Sequence, residues 1–90
     1  QYNFTKCFMG ANGVDVSAGF TTPDTEEAIL KSEAVNRSYL AFVLVDASKF
    51  GLVSPVTFAS LASCCILTDH LPDESYQANT MIKEVTQEAG

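Results

Sequence analysis

Apolar residues in this chain fall into short runs, which are separated by polar, glycine-containing or proline-containing stretches. Runs of strand length rich in β-branched and aromatic residues predict strands. These are Phe4 to Met9, Phe20 to Thr22, Leu40 to Val45, Val56 to Phe58, Cys64 to Thr68 and Met81 to Thr86. The runs beginning at Leu40 and Cys64 are apolar without alternation, which is typical of strands that are buried on both faces of a parallel sheet.

One segment has helical spacing instead. Asp24-Thr25-Glu26-Glu27 has the form of a capping box and places three carboxylates at the positive end of a helix dipole. Apolar residues then recur at helical spacing to about Ser38, at Ala28, Ile29, Leu30, Ala34 and Val35. A short helix from Pro72 to Thr80 is also predicted, and the alternative is one helix from Pro72 to Gln87.

Strands that alternate with helices predict an α/β fold with a mostly parallel sheet flanked by helices. The 90 residues suit one small domain, and no repeat or linker divides residues 1–90. The longest strongly apolar run, Leu40 to Val45, is far shorter than the roughly 20 residues needed to cross a bilayer. No basic region precedes an apolar stretch as in a signal peptide. We therefore expect a soluble, cytoplasmic chain without a membrane partner.

Charge and cysteine content exclude several functions. Five basic residues are scattered among eleven carboxylates, for a net charge of −6. Because nucleic-acid binding needs clustered Lys and Arg, this stretch by itself is a poor DNA or RNA binder. Cys7, Cys64 and Cys65 are odd in number and two are adjacent, so no disulfide framework is expected. Because Cys64 and Cys65 lie in an apolar run that ends at Thr68, we expect both to be small core residues. With His70 as the only histidine, neither a metal site nor a cofactor is predicted.

Candidate chemistry lies after the predicted strands. In open parallel sheets, ligands bind outside the carboxyl ends of the strands, where the strand order reverses. That rule selects three segments: Gly10 to Asp15, Asp46 to Gly51, and Thr68 to His70. Glycines allow backbone amides to approach an anion, and a lysine supplies a cation for phosphate. Since Asn and Asp can also bind sugar hydroxyls, these segments predict a site for a small phosphorylated polyhydroxy ligand.

Each candidate also has a purely structural interpretation. Gly10 and Gly13 could meet a turn's need for positive φ, and Asp46 could cap the turn that follows it. Lys49, Asp15 and His70 could be solvated loop residues. No dinucleotide or Walker A motif and no nucleophile–histidine pairing is present, so support for an enzyme is thin.

Several blocks together resemble the effector-sensing domain of DeoR-type bacterial transcriptional repressors. They are Phe8 to Asp15, Gly19 to Asp24, Glu27-Ala28-x-x-Lys31, Leu44 to Gly51, and Ile66 to Asp69. The resemblance implies a sensor for a phosphorylated sugar, joined in the whole repressor to an N-terminal winged helix-turn-helix that binds operator DNA. It also implies that residues 1–90 are the C-terminal part of the sensor, without the DNA-binding domain and without an upstream glycine-rich phosphate loop. Such repressors commonly self-associate, and we expect a truncated sheet with six phenylalanines to do so as well.

The resemblance further implies a Rossmann-like fold shared with ribose-5-phosphate isomerase. Here Asn12 stands in place of the second aspartate of the isomerase's acidic loop, and Lys49 is followed by Phe50-Gly51 rather than a glycine run. Asparagine cannot act as a general base. We therefore expect a binding site without catalysis, formed by Gly10, Asn12, Gly13, Asp15, Asp46 and Lys49, with the Gly10 turn beside Lys49. The alternatives are a sugar-phosphate isomerase and an oligomerisation module without ligand sensing.

Overall fold

A computed structural model of the chain describes residues 4–78 and 80–84. Its helix, α1, is Thr25–Arg37. Its strands are β1 (Phe4–Gly10), β2 (Gly13–Asp15), β3 (Gly19–Thr22), β4 (Ser38–Val45), β5 (Val56–Ala59), β6 (Cys65–Thr68) and β7 (Ile82–Glu84). Three short 3₁₀ helices connect them, at Ala47–Lys49, Leu61–Ser63 and Glu74–Ala78. The predicted α/β class with a mostly parallel sheet is confirmed.

Four strands form a parallel sheet in the order β1-β4-β6-β7. Among the described strands the order follows the chain and does not reverse, so the reversal assumed in the sequence analysis is absent from this part of the sheet. Parallel crossovers are right-handed, and crossovers that advance in one direction place their connections on one face of the sheet. The helix, the remaining strands and the 3₁₀ helices accordingly cover the same face.

The covered face forms the core. Along β4 the buried residues alternate, with Ala41, Val43 and Val45 facing inward, and Ile66 of β6 is fully buried beside them. Ala28 is the buried residue of α1. Helix α1 begins where the capping motif predicts, because Asp24 accepts a 3.0 Å hydrogen bond from the backbone N–H of Glu26.

A second, antiparallel sheet in the order β2-β3-β5 lies in this layer and was not predicted. The strand predicted at Val56 exists but pairs with β3 rather than with the parallel sheet. All four residues of β3 are buried, and the rings of Phe20 and Phe58 pack with centroids 6.1 Å apart. The β2–β3 turn closes at Gly19, whose φ of +80° favours glycine.

The opposite face of the parallel sheet is partly exposed, so the prediction that β4 and β6 are buried on both faces is wrong. Phe8 is 60% exposed, and its ring stacks on that of Phe42 at 5.0 Å. Leu40 and Leu44 are also exposed. Because register partners in a parallel pair point to the same side, Leu67 shares this face. We call Phe8, Leu40, Phe42, Leu44 and Leu67 the open face.

The remaining predictions concern the flanking helices, the segment after β6, the cysteines and membrane spans. The predicted flanking by several helices reduces to α1, two of whose apolar residues, Ile29 and Leu30, are exposed. After β6 the described residues form a 3₁₀ helix and β7, so the single helix from Pro72 is wrong; residues 85–87 of that alternative lie outside the described ones. The three cysteines are free thiols. Cys64 is buried, as expected, whereas Cys65 is only half-buried. None of the described helices is long and apolar enough to span a membrane.

Candidate functional site

The three predicted segments meet at one edge of the molecule. β1, β4 and β6 are parallel, so their carboxyl ends share an edge of the sheet. The Ala47 N–H donates a 3.0 Å hydrogen bond to Asp69 Oδ1, which joins the segments after β4 and β6. Val14 forms a parallel bridge with Phe50, and this contact joins the segment after β1 to the same loop.

Gly13 allows a close approach between two of these segments. A Cβ built on Gly13 would lie 2.2 Å from the carbonyl oxygen of Leu52. At this separation one of the two backbone segments would have to move. Beside it, the Gly51 N–H donates a 2.7 Å hydrogen bond to the Val14 carbonyl. The Asn12 turn and the Lys49 loop are therefore held side by side by direct backbone contact.

The positive-φ interpretation of the first two glycines is wrong. Among the described residues, positive φ occurs at Gly19 and at Gly51, which has a φ of +86°. Gly10 has only Leu44 O within reach of an added Cβ, at 3.9 Å, so neither backbone angle nor space requires glycine there. Gly13 is needed because of close packing, and Gly51 because of its turn.

Asn12 is exposed, yet it is fixed from both of its ends. Its backbone N–H donates a 2.9 Å hydrogen bond to the Thr21 carbonyl. Its side-chain Oδ1 lies 3.3 Å from Thr22 Oγ1, and this buried hydroxyl is also 3.3 Å from Glu27 Oε1. The asparagine is consequently held against β3 at the edge where the three segments meet.

Lys31 continues this contact into helix α1. Its Nζ donates a 2.7 Å hydrogen bond to the Gly10 carbonyl, lies 2.9 Å from Glu27 Oε1 and sits 5.4 Å from the centre of the Phe58 ring. The hydrogen bond and charge of Lys31 lower the pKa of Glu27. Glu27 belongs to the predicted capping box, but its side-chain partners in the structure are Lys31 and Thr22. The i, i+4 spacing of opposite charges was the signal for this pair.

Asp46 and Lys49 lie at the two ends of the 3₁₀ turn after β4. Asp46 is its N-cap: Oδ1 accepts hydrogen bonds from the N–H of Ser48, at 2.9 Å, and from the Ser48 hydroxyl. These two bonds hold the pKa of Asp46 below its ordinary value. The capping role is thus present in the structure. Lys49 is half-buried and donates its backbone N–H to the Asp46 carbonyl at 3.1 Å.

Asp15 and His70 serve mainly their own loops. Asp15 Oδ2 accepts hydrogen bonds from the N–H groups of Ser17 and Ala18, at 3.0 and 2.9 Å, and so closes the β2–β3 turn. His70 is exposed, with Nδ1 3.8 Å from Glu84 Oε2.

Tyr76 packs beneath the site and was missed by the sequence analysis. Its hydroxyl donates a 3.3 Å hydrogen bond to the Val14 carbonyl, and its ring meets that of Phe50 edge-on at 4.9 Å. Burial raises the pKa of Tyr76, which keeps the hydroxyl protonated as a donor. A lone tyrosine in a short polar segment gave no sequence signal for this long-range contact.

The geometry places polar side chains of three loops at one edge of a parallel α/β sheet, with an amide rather than a carboxylate at Asn12. The sequence model of the family described as the DeoR C-terminal sensor domain matches residues 1–70 of this chain. One similar protein is the uncharacterized HTH-type transcriptional regulator FruR of Bacillus subtilis, which is 46% identical over 94% of this chain and 35% of that protein. The HTH-type transcriptional regulator GlpR of Haloferax volcanii is 42% identical over 66% of this chain and 23% of that protein. The HTH-type transcriptional regulator IolR of Bacillus subtilis is 32% identical over 84% of this chain and 31% of that protein.

The chain belongs to the DeoR C-terminal sensor domain family. Its curated relatives are transcriptional regulators rather than enzymes, which supports a regulatory, effector-binding role. The chain spans about a third or less of the length of these relatives.

Proposed function

We propose that this chain is the effector-binding part of a transcriptional repressor of sugar metabolism, and that its effector is a phosphorylated sugar. The site comprises Gly10, Asn12, Gly13 and Lys49, with Asp46 setting the turn that carries Lys49. The observation that carries the proposal is the contact between the Asn12 turn and the Lys49 loop. This contact is made where Gly13 packs against the backbone of Leu52.

The chemistry of the two loops suits such a ligand. The ammonium group of Lys49 can bind a phosphate, and charge-assisted hydrogen bonds of this kind are stronger than neutral ones. Asn12 can bind a sugar hydroxyl but cannot take up a proton from carbon, so the site binds without isomerising.

We propose that regulation requires a longer polypeptide than this chain, since the relatives that it matches are about three or more times as long. We propose that operator DNA is bound by a winged helix-turn-helix preceding the sensor, that residues 1–90 are the sensor's C-terminal part, and that the regulator is a cytoplasmic homo-oligomer. The effector then acts by binding one repressor state more tightly than the other, because a ligand shifts an equilibrium only by its differential affinity.

A thermal-shift screen of sugar phosphates on the intact regulator tests the proposal. The panel is ribose 5-phosphate, glucose 6-phosphate, fructose 1-phosphate and fructose 6-phosphate, with inorganic phosphate alongside. A ligand that binds only the native state raises the Tm. We expect one sugar phosphate to do so and to change operator affinity.

Lys49→Ala should lower the affinity for that sugar phosphate at least about tenfold, since a hydrogen bond to a charged group contributes roughly 1.5–3 kcal/mol. Operator binding without effector should be unchanged. Lys6→Ala is the matched control, because Lys6 is exposed on β1 away from the Lys49 loop. A normal effector response in Lys49→Ala would refute the site, and aldose–ketose conversion of any panel member would favour the isomerase instead.

A further inference from the structure

The Thr22 hydroxyl determines the orientation of its neighbours. It is fully buried and lies 3.3 Å from both Asn12 Oδ1 and Glu27 Oε1. A hydroxyl has one hydrogen to donate and accepts through its lone pairs. It can therefore donate to only one of these two oxygens at a time. At the other contact, the Thr22 oxygen would face a second oxygen with no hydrogen between them, which is repulsive.

Glu27 is the stronger acceptor for this hydrogen. Its carboxylate lies 2.9 Å from Lys31 Nζ, which keeps it ionised. An ionised carboxylate only accepts, and hydrogen bonds to it are about twice as strong as neutral ones. Thr22 accordingly donates to Glu27 and turns its lone pairs towards Asn12.

We infer that the Asn12 amide donates from Nδ2 to Thr22 Oγ1 and presents its carbonyl oxygen outward from the turn, with Thr22, Glu27 and Lys31 as positioning residues that hold it so. A half-turn of the amide group exchanges Nδ2 and Oδ1 while the rest of the side chain stays in place. Lys31 also fixes the backbone two residues earlier, through the Gly10 carbonyl.

The orientation sets which part of a ligand Asn12 can bind, and in this respect it rests on the proposed function. An outward oxygen accepts hydrogen bonds, and the oxygens of an ionised phosphate also accept, so those two groups are mismatched. A sugar hydroxyl can donate to Asn12, while the Lys49 ammonium donates to the phosphate. The site therefore binds the two ends of the ligand at different loops.

The orientation can be measured on the protein without ligand, by NMR. We expect nuclear Overhauser effects from the Nδ2 hydrogens of Asn12 to the Thr22 side chain, and slowed solvent exchange of one of these hydrogens. Thr22→Ser keeps the hydroxyl and should keep the slow exchange, whereas Thr22→Val should abolish it. Nδ2 hydrogens that exchange freely and show no contact with Thr22 would overturn the inference.

Ligand binding supplies the second test, with the sugar phosphate that raises the Tm and inorganic phosphate as probes. Asn12→Ala should lower the affinity for the sugar phosphate about three- to tenfold, as expected for one neutral hydrogen bond, and leave the affinity for inorganic phosphate unchanged. Lys49→Ala should lower the affinity for both probes. Equal weakening of both probes by Asn12→Ala would overturn the inference. If no sugar phosphate binds while the NMR contacts are present, the proposed function fails and the amide orientation stands.

Discussion

Gly13 and Leu52 are packed so closely that the carbonyl oxygen of Leu52 occupies the space of a side chain at position 13, 2.2 Å from where a Cβ would lie. This contact holds the Asn12 turn against the loop that carries Lys49. Any residue larger than glycine must separate the two backbones, because the Leu52 carbonyl oxygen and carbon belong to the main chain and cannot rotate away.

Gly13→Ala should therefore destabilise the protein by about 1–3 kcal/mol, the usual cost of overpacking, and weaken the proposed site. Gly10→Ala is the matched control, since its Cβ would meet only Leu44 O at an ordinary 3.9 Å and its φ is not positive. Urea unfolding measures both. A Gly13→Ala variant as stable as Gly10→Ala would show that the two loops are not in contact.

The open face should drive self-association of this chain. The stacked rings of Phe8 and Phe42 lie on an exposed apolar surface, and such surfaces mark interaction sites. We expect sedimentation velocity to show concentration-dependent association, and Phe8→Lys to shift the chain towards monomer. Leu30→Lys alters a residue on helix α1 that is even more exposed than Phe8, and it should change little. A wild-type chain that stays monomeric at high concentration would contradict this expectation.

Glu27 should make stability depend on acid pH. Lys31 lowers its native pKa below the ordinary 4.5, so the unfolded chain takes up the proton first as pH falls. The stabilisation is present above pH 4.5 and is lost below it, through the lowered native pKa. Glu27→Gln and Lys31→Met should each flatten the fall in unfolding free energy between pH 5 and 3, and the double variant should flatten it no further. An unchanged slope in both single variants would exclude the pair as its source.

Cys64 should be the least reactive of the three thiols. Burial raises its pKa to about 12, so the thiolate that reacts is scarce at neutral pH. Iodoacetamide at pH 8, followed by peptide mass spectrometry, should label Cys64 last in the native protein. Because the unfolded thiol ionises near pH 9, stability should also fall as pH rises from 9 towards 12, and less so in Cys64→Ala. Early labelling of Cys64 would show that it is accessible.

Local signals predicted the elements well. Asp24 begins α1 because its carboxylate can satisfy a backbone N–H of the first turn, a relation spanning two residues. The predicted strands exist within a residue or two over the described part of the chain, although Val56–Ala59 joined an unexpected sheet. The direction of pairing could not be read locally, because it depends on which distant strand offers free hydrogen-bonding groups.

The site was predictable as an edge but not as a set of contacts. Parallel strands place Gly10, Asp46 and Asp69 along one edge, and this follows from strand direction alone. The Thr22–Glu27, Lys31–Gly10 and Tyr76–Val14 contacts were not foreseen, since each joins two elements whose relative position only packing decides. The exposed side of β4 was likewise hidden, because an apolar strand has the same sequence whether or not its second face is covered.

Sequence alone determined the α/β class, the family resemblance and the segments where polar chemistry gathers, because these depend on periodicity and on residues near one another in the chain. Tertiary structure decided that Gly13 must be small, that Asn12 is held by Thr22, and that every described connection lies on one face of the parallel sheet. These facts arise from close contacts between residues distant in sequence, which form only when the whole chain packs.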